Sequence, residues 1–82
     1  MRRHDLVQNA QGTTYVFNTG QDEHKYYAAL AIGSTVEREK VGKIGLAGSR
    51  GSTYFVNILI FPGHEAYVLG MFKSLGVQGT VY

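Results

Sequence analysis

Two apolar-rich parts of the chain have the residue pattern of β-strands. Residues 13–18 (TTYVFN) and 52–61 (STYFVNILIF) are rich in β-branched and aromatic residues and are bounded by Gly, Asn and Pro, which is typical of strands. Both alternating faces of the second segment are largely apolar, which predicts a central strand covered on both sides. One face consists of Tyr54, Val56, Ile58 and Ile60, and the other consists of Phe55, Asn57, Leu59 and Phe61.

Residues 64–75 (HEAYVLGMFKSL) have the period of a helix instead. Their apolar residues recur at i, i+3, i+4 and i+7, and Gly76 follows as a typical C-terminal stop. The sequence therefore predicts a helix here and a short final strand at residues 78–82. The apolar stripe of this helix consists of Val68, Met71, Phe72 and Leu75.

Residues 26–32 (YYAALAI) fit either a helix or a buried strand. Three alanines favour a helix, whereas the paired tyrosines and Ile32 favour a strand. The acids at positions 22–23 are typical of a first helical turn, so we predict a helix. After Gly33, the spacing of Ser34 and Glu37 predicts that a separate short helical turn begins.

Two similar stretches organise these elements. Residues 12–18 (GTTYVFN) and 51–57 (GSTYFVN) are identical at four positions and lie 39 residues apart. With Leu6-Val7 and residues 44–47 as partner strands, they would form two hairpins in a ββα-ββα duplication. Chance similarity between two strands is the alternative. Either way, residues 1–82 predict a single α+β domain, a mainly antiparallel sheet with one or two helices packed on one face.

The glycine-rich residues 43–55 (KIGLAGSRGSTYF) suggest either a phosphate-binding loop or a hairpin turn. A phosphate loop leads from a strand into a helix, whose free N–H groups meet the anion. Here the residues after Gly51 are strand formers, and no Lys precedes the Ser as a Walker motif requires. We therefore predict the turn of a β-hairpin.

Composition excludes several classes of protein. The chain has no cysteine, and its histidines (His4, His24 and His64) lie far apart, so we expect no metal site and no cofactor. No apolar run approaches a membrane span, and no secretory signal follows Met1. Without a recognisable catalytic constellation, we expect a non-enzymatic, cytoplasmic protein.

The basic residues point to nucleic acid. Arg2 and Arg3 form a basic N-terminal arm, Arg50 lies at the tip of the predicted hairpin, and Lys43 lies near its base. Cations together with aromatic residues on a sheet are typical of single-strand binding, and we expect Tyr15 and Tyr54 near this basic stripe. The alternative is that both tyrosines lie in the core. The sequence thus favours nucleic-acid binding through Arg2, Arg3, Lys43 and Arg50.

A protein partner is the second hypothesis. Short phage or mobile-element genes often encode inhibitors or adaptors that bind a host protein through exposed aromatic residues. The apolar strand faces, and Tyr82 at the end of an exposed strand, also predict self-association into a homo-oligomer.

Overall fold

The computed structural model describes residues 11–82, which form four strands and two helices. The strands make one antiparallel sheet in the order β2-β3-β1-β4, so the predicted α+β class is confirmed. Neither helix of the described part is long and apolar enough to cross a membrane. The elements are β1 (Thr13–Gly20), α1 (Glu23–Arg38), β2 (Gly42–Arg50), β3 (Thr53–Ile60), α2 (Glu65–Ser74) and β4 (Gly79–Val81).

Within residues 11–82 the elements follow one another as β-α-β-β-α-β. Strands β2 and β3 with α2 form the predicted second ββα unit, and β1 with α1 forms the described part of the first. Strand β1 lies between β3 and β4, so both of its edges are hydrogen-bonded to strands that follow it in the chain. The predicted partner Leu6-Val7 lies outside the described residues. The connectivity is that of two interleaved split β-α-β units, the ferredoxin-like arrangement.

The two similar stretches become the two central strands of this sheet. Residues 12–18 form most of β1, and residues 51–57 lead into β3. Phe17 and Val56, which occupy equivalent positions in the two stretches, face each other directly in the β1–β3 ladder. The similarity therefore relates a first half, β1-α1-β2, to a second half, β3-α2-β4.

Helix α1 includes the ambiguous residues 26–32, so the predicted helix is confirmed there. Asp22 caps it, with its Oδ1 accepting hydrogen bonds from the backbone N–H groups of His24 and Lys25 at 2.9 and 3.2 Å. The predicted break after Gly33 is wrong, because the helix continues to Arg38. Gly33 is buried there against Ile44, and a Cβ would lie 2.9 Å from the Ile44 Cδ1. The glycine permits close packing rather than ending the helix.

Helix α2 packs through its predicted stripe. Val68 and Phe72 are fully buried, and Met71 and Leu75 pack partly buried against the same core. The Phe72 ring stacks on the ring of Phe17 in β1, with centroids 3.7 Å apart and planes 12° from parallel. This stack joins the second helix to a central strand.

Both helices lie on one face of the sheet. A single core cluster contains residues from α1, from α2 and from the alternate positions Phe17, Val56, Ile58 and Ile60. Strand β3 is central, as predicted, and the helices cover one of its sides. The predicted cover on the second side, which carries Phe55, Asn57 and Leu59, does not come from the helices. Phe55 and Leu59 are thus apolar residues on a sheet face that no helix of residues 11–82 covers.

Replacing Phe72 by Ala should lower the free energy of unfolding by about 3–5 kcal/mol, because it removes a buried ring and leaves a cavity. The control is Tyr67→Ala on the same helix. Tyr67 is 49% exposed and its hydroxyl donates to Glu39 Oε1 at 2.7 Å, so about 1 kcal/mol is expected. Denaturant titration measures both. Equal losses for the two variants would contradict the packing described for α2.

Candidate functional site

We call the sheet surface turned away from the helices the open face. Strand pairing assigns residues to it, because directly opposed residues point to the same side. Thr14, Leu59 and Lys43 are opposed across β1, β3 and β2, and Val16 is opposed to Asn57. The open face consists of Thr14, Val16, Asn18, Lys43, Leu46, Arg50, Thr53, Phe55, Asn57, Leu59, Thr80 and the following Tyr82.

Charge is sorted between the two layers of the described residues. All five acids within residues 11–82 belong to the helices or to their terminal caps, and none lies on a strand: Asp22, Glu23, Glu37, Glu39 and Glu65. The strands carry two cations, Lys43 and Arg50, which are both exposed and lie near opposite ends of β2. The described strands therefore carry positive charge and no carboxylate of their own. Glu37 of α1 reaches the edge of β2, where its Oε2 accepts the Ile44 N–H at 3.1 Å.

The hairpin turn fixes the position of Arg50. Strands β2 and β3 are joined by Gly51-Ser52, and Gly51 has φ +64° at the first central position, where a type II′ turn requires glycine. The Thr53 hydroxyl donates to the Arg50 carbonyl at 3.2 Å, and the Gln21 side chain donates to Ser52 Oγ at 3.1 Å. The predicted hairpin is confirmed, and a strand rather than a helix follows the glycines.

A shallow depression of about 250 Å³ lies on the open face beside this turn. Its size is below the usual range for small-molecule pockets, so it suits one flat group rather than a whole ligand. Tyr82 borders it, and although its side chain is 81% exposed, its backbone N–H donates to the Thr14 carbonyl at 2.8 Å. The lining residues are Val16, Asn18, Leu46, Arg50, Thr53, Phe55, Asn57 and Tyr82.

Among the described residues, only Asn57 has a buried side-chain polar atom without a hydrogen-bond partner. It is 8% exposed, and its Oδ1 has no hydrogen-bond partner among residues 11–82. A buried acceptor that has lost water without gaining a donor costs about 1–3 kcal/mol. The neighbouring Asn18 differs, because its Oδ1 accepts the Gly20 N–H at 2.7 Å. The depression thus contains a buried amide whose oxygen lacks a donor.

The structure places two of the predicted site residues on one face of the sheet, near opposite ends of β2. Lys43 and Arg50 share the open face, whereas Arg2 and Arg3 lie outside the described residues. The expectation that Tyr15 and Tyr54 lie near the basic stripe is wrong. Both point to the helix side, where Tyr54 stacks on Tyr26 with centroids 4.8 Å apart and Tyr15 packs against the core.

The aromatic residues of the open face are instead Phe55 and Tyr82, which sequence reasoning did not assign to the site. Alternation along residues 52–61 placed Phe55 and Asn57 on one face, and that assignment is correct. The missing information was which face the helices cover. Asn57 was the signal available, because it is the only polar residue among the apolar ones from Phe55 to Phe61.

No cluster of three metal-ligating side chains occurs within residues 11–82. His24 lies in the first turn of α1, and His64 precedes α2 as its N-cap residue. Comparisons of the chain with protein-family models, curated proteins and solved structures gave no significant match. The assignment of the candidate site therefore rests on the geometry of the described residues alone.

Replacing Asn57 by Leu should leave the free energy of unfolding unchanged or raise it by about 1 kcal/mol, because the substitution removes an unsatisfied buried acceptor at similar volume. Chemical denaturation of the variant and the wild type measures the difference. A loss above about 2 kcal/mol would mean that the amide supports the fold, and would contradict the unsatisfied environment described here.

Proposed function

We propose that the protein is a small non-enzymatic module that binds single-stranded nucleic acid on the open face of its sheet. One observation carries the proposal. The open face combines aromatic side chains, two cations and polar amides, while the acids of residues 11–82 lie on the helices and their caps. Proteins that bind single-stranded nucleic acid combine cations with aromatic rings, since phosphates attract cations and bases stack on rings.

Each residue has a defined part in this proposal. Phe55 and Tyr82 offer ring surface for stacking bases, at the centre of the sheet and near the β4 edge. Arg50 at the hairpin turn is suited to bidentate contact with a phosphate. Lys43 lies seven residues away along β2, roughly 23 Å for an extended strand. The two cations would therefore hold phosphates several nucleotides apart.

The architecture supports the same surface by analogy. Some four-stranded sheets backed by helices bind single-stranded RNA by stacking bases on aromatic residues of the sheet. Fold alone does not determine function, so this analogy adds to the side-chain argument without replacing it. Arg2 and Arg3 remain in the proposal as a basic arm, although they lie outside the described residues.

A protein partner is the second candidate, and the exposed apolar side chains favour it. Leu46 and Tyr82 are 67% and 81% exposed on or beside the same depression. Such residues suit the core of a protein interface, formed with a host protein or with a second copy of this chain. In this case the protein would be an inhibitor or adaptor, of the kind that short phage genes encode.

Fluorescence anisotropy with short single-stranded oligonucleotides tests the first candidate. We expect binding at low salt that weakens steeply as salt increases, because phosphate contacts release counterions. Arg50→Ala should weaken binding to every oligonucleotide and reduce the salt slope by about one contact. Arg38→Ala is the matched control, since Arg38 is exposed on the helix layer and contacts Thr35. Equal effects of the two variants would contradict the proposed surface.

Tyr82→Ala should weaken oligonucleotide binding by about fivefold or more, because stacking contributes about 1–3 kcal/mol per base. Tyr27→Ala is the control, since Tyr27 is 58% exposed on α1 and its hydroxyl contacts Glu23. If wild-type protein binds no oligonucleotide at low salt, the nucleic-acid proposal fails. A protein captured from host lysate that survives nuclease and high salt would then favour the second candidate.

A further inference from the structure

We infer that Asn57 reads the edge of an unpaired base and so gives binding a base preference, an inference that rests on the proposed function. Asn57 lies in the depression between the two central strands and the hairpin turn, and its Oδ1 is buried without a partner. Within residues 11–82, no other buried side chain has an unsatisfied polar atom. An inserted ligand that carries an N–H group would supply the missing donor.

An irregularity in β2 faces Asn57. Between Ile44 and Ala47 the register shifts, so that Gly45 and Leu46 together oppose Asn57 of β3. Such bulges are common next to functional sites, where they redirect a side chain or interrupt pairing. Gly45 has no side chain to lie over Asn57, and the nearest atoms to a Cβ placed there would be the Asn57 backbone oxygen and Cβ, at 3.5 and 3.7 Å. Leu46 is exposed, so its side chain has room to move aside.

The neighbours of Asn57 match the parts of a nucleotide. Phe55 lies two residues away on the same face and offers a stacking surface, and Arg50 borders the same depression. A carboxamide presents an acceptor beside a donor, which matches adjacent hydrogen-bonding groups on a base edge. Adenine is the base that asparagine contacts most typically, through N6–H and N7. Stacking tolerates every base, so a preference must come from such a polar contact.

The test compares the affinities of the wild type for oligo-dA, oligo-dT and oligo-dC of about ten nucleotides. We expect oligo-dA to bind about fivefold or more tightly than the other two, the lower end of what one good amide–base pair provides. Asn57→Leu should remove this preference while retaining binding through stacking and phosphate contacts. Arg50→Ala should weaken binding to all three and keep their ratio.

A second variant tests the same contact without changing Asn57. Gly45→Val places a side chain over the amide from the bulge, at a backbone position outside the left-handed region, and should also reduce the preference. Thermal unfolding of both variants establishes that they fold. Equal wild-type affinities for the three oligonucleotides, or a preference that survives Asn57→Leu, would overturn this inference and leave the proposed function intact. Absence of binding to any oligonucleotide would overturn both.

Discussion

The stack of Phe72 on Phe17 determines which side of the sheet is covered. It brings α2 onto the central strand β1, and the buried Val56, opposite Phe17, extends the same surface to β3. Because successive strand residues point to opposite faces, burying Phe17 and Val56 leaves Val16, Asn18, Phe55 and Asn57 on the other side. The open face is thus a direct consequence of the core.

The two layers also differ in charge, because the acids of residues 11–82 lie on the helices and their caps while Lys43 and Arg50 lie on β2. Glu23 and Glu65 lie in the first turns of the two helices, where their negative charge interacts favourably with the positive end of the helix dipole. Asp22 also caps α1. Placing carboxylates there supports the fold and leaves them off the strands. The strands therefore carry Lys43 and Arg50 and no acid within residues 11–82, a distribution that attracts anionic polymers. Glu37 of α1 is the acid that reaches β2, where its Oε2 accepts the Ile44 N–H at 3.1 Å beside Lys43, so Arg50 is the cation farther from a carboxylate.

Local patterns in the sequence predicted most elements of the fold. The stripe of α2 and the alternation of β3 are both visible, because each depends on nearest neighbours along the chain. The arrangement of the sheet was not predictable in this way, because the pairing of β1 with β3 and β4 joins segments far apart in sequence. Gly33 shows the same limit. A glycine is typical of a helix break, but Gly33 lies within α1 because it packs closely against Ile44.

The candidate site was predictable only in part for the same reason. Arg50 could be assigned from the hairpin, since a two-residue turn depends on local sequence. Tyr15 and Tyr54 were assigned to the wrong side, because alternation separates two faces without identifying the one that faces the helices. Asn57 stands out locally as the one polar residue from Phe55 to Phe61, but its unsatisfied oxygen and the register shift of β2 opposite it are features of tertiary structure that no local pattern indicates.

Methyl-group NMR during titration with a single-stranded oligonucleotide tests the central claim most directly, because methyl groups of the two faces report separately. The account predicts that resonances of Val16, Leu46 and Leu59 on the open face shift progressively as oligonucleotide is added. Resonances of Val36 and Val68, buried between the helices and the sheet, should remain in place. Shifts confined to the helix layer, or no shifts at low salt, would contradict the assignment of the open face as the binding surface.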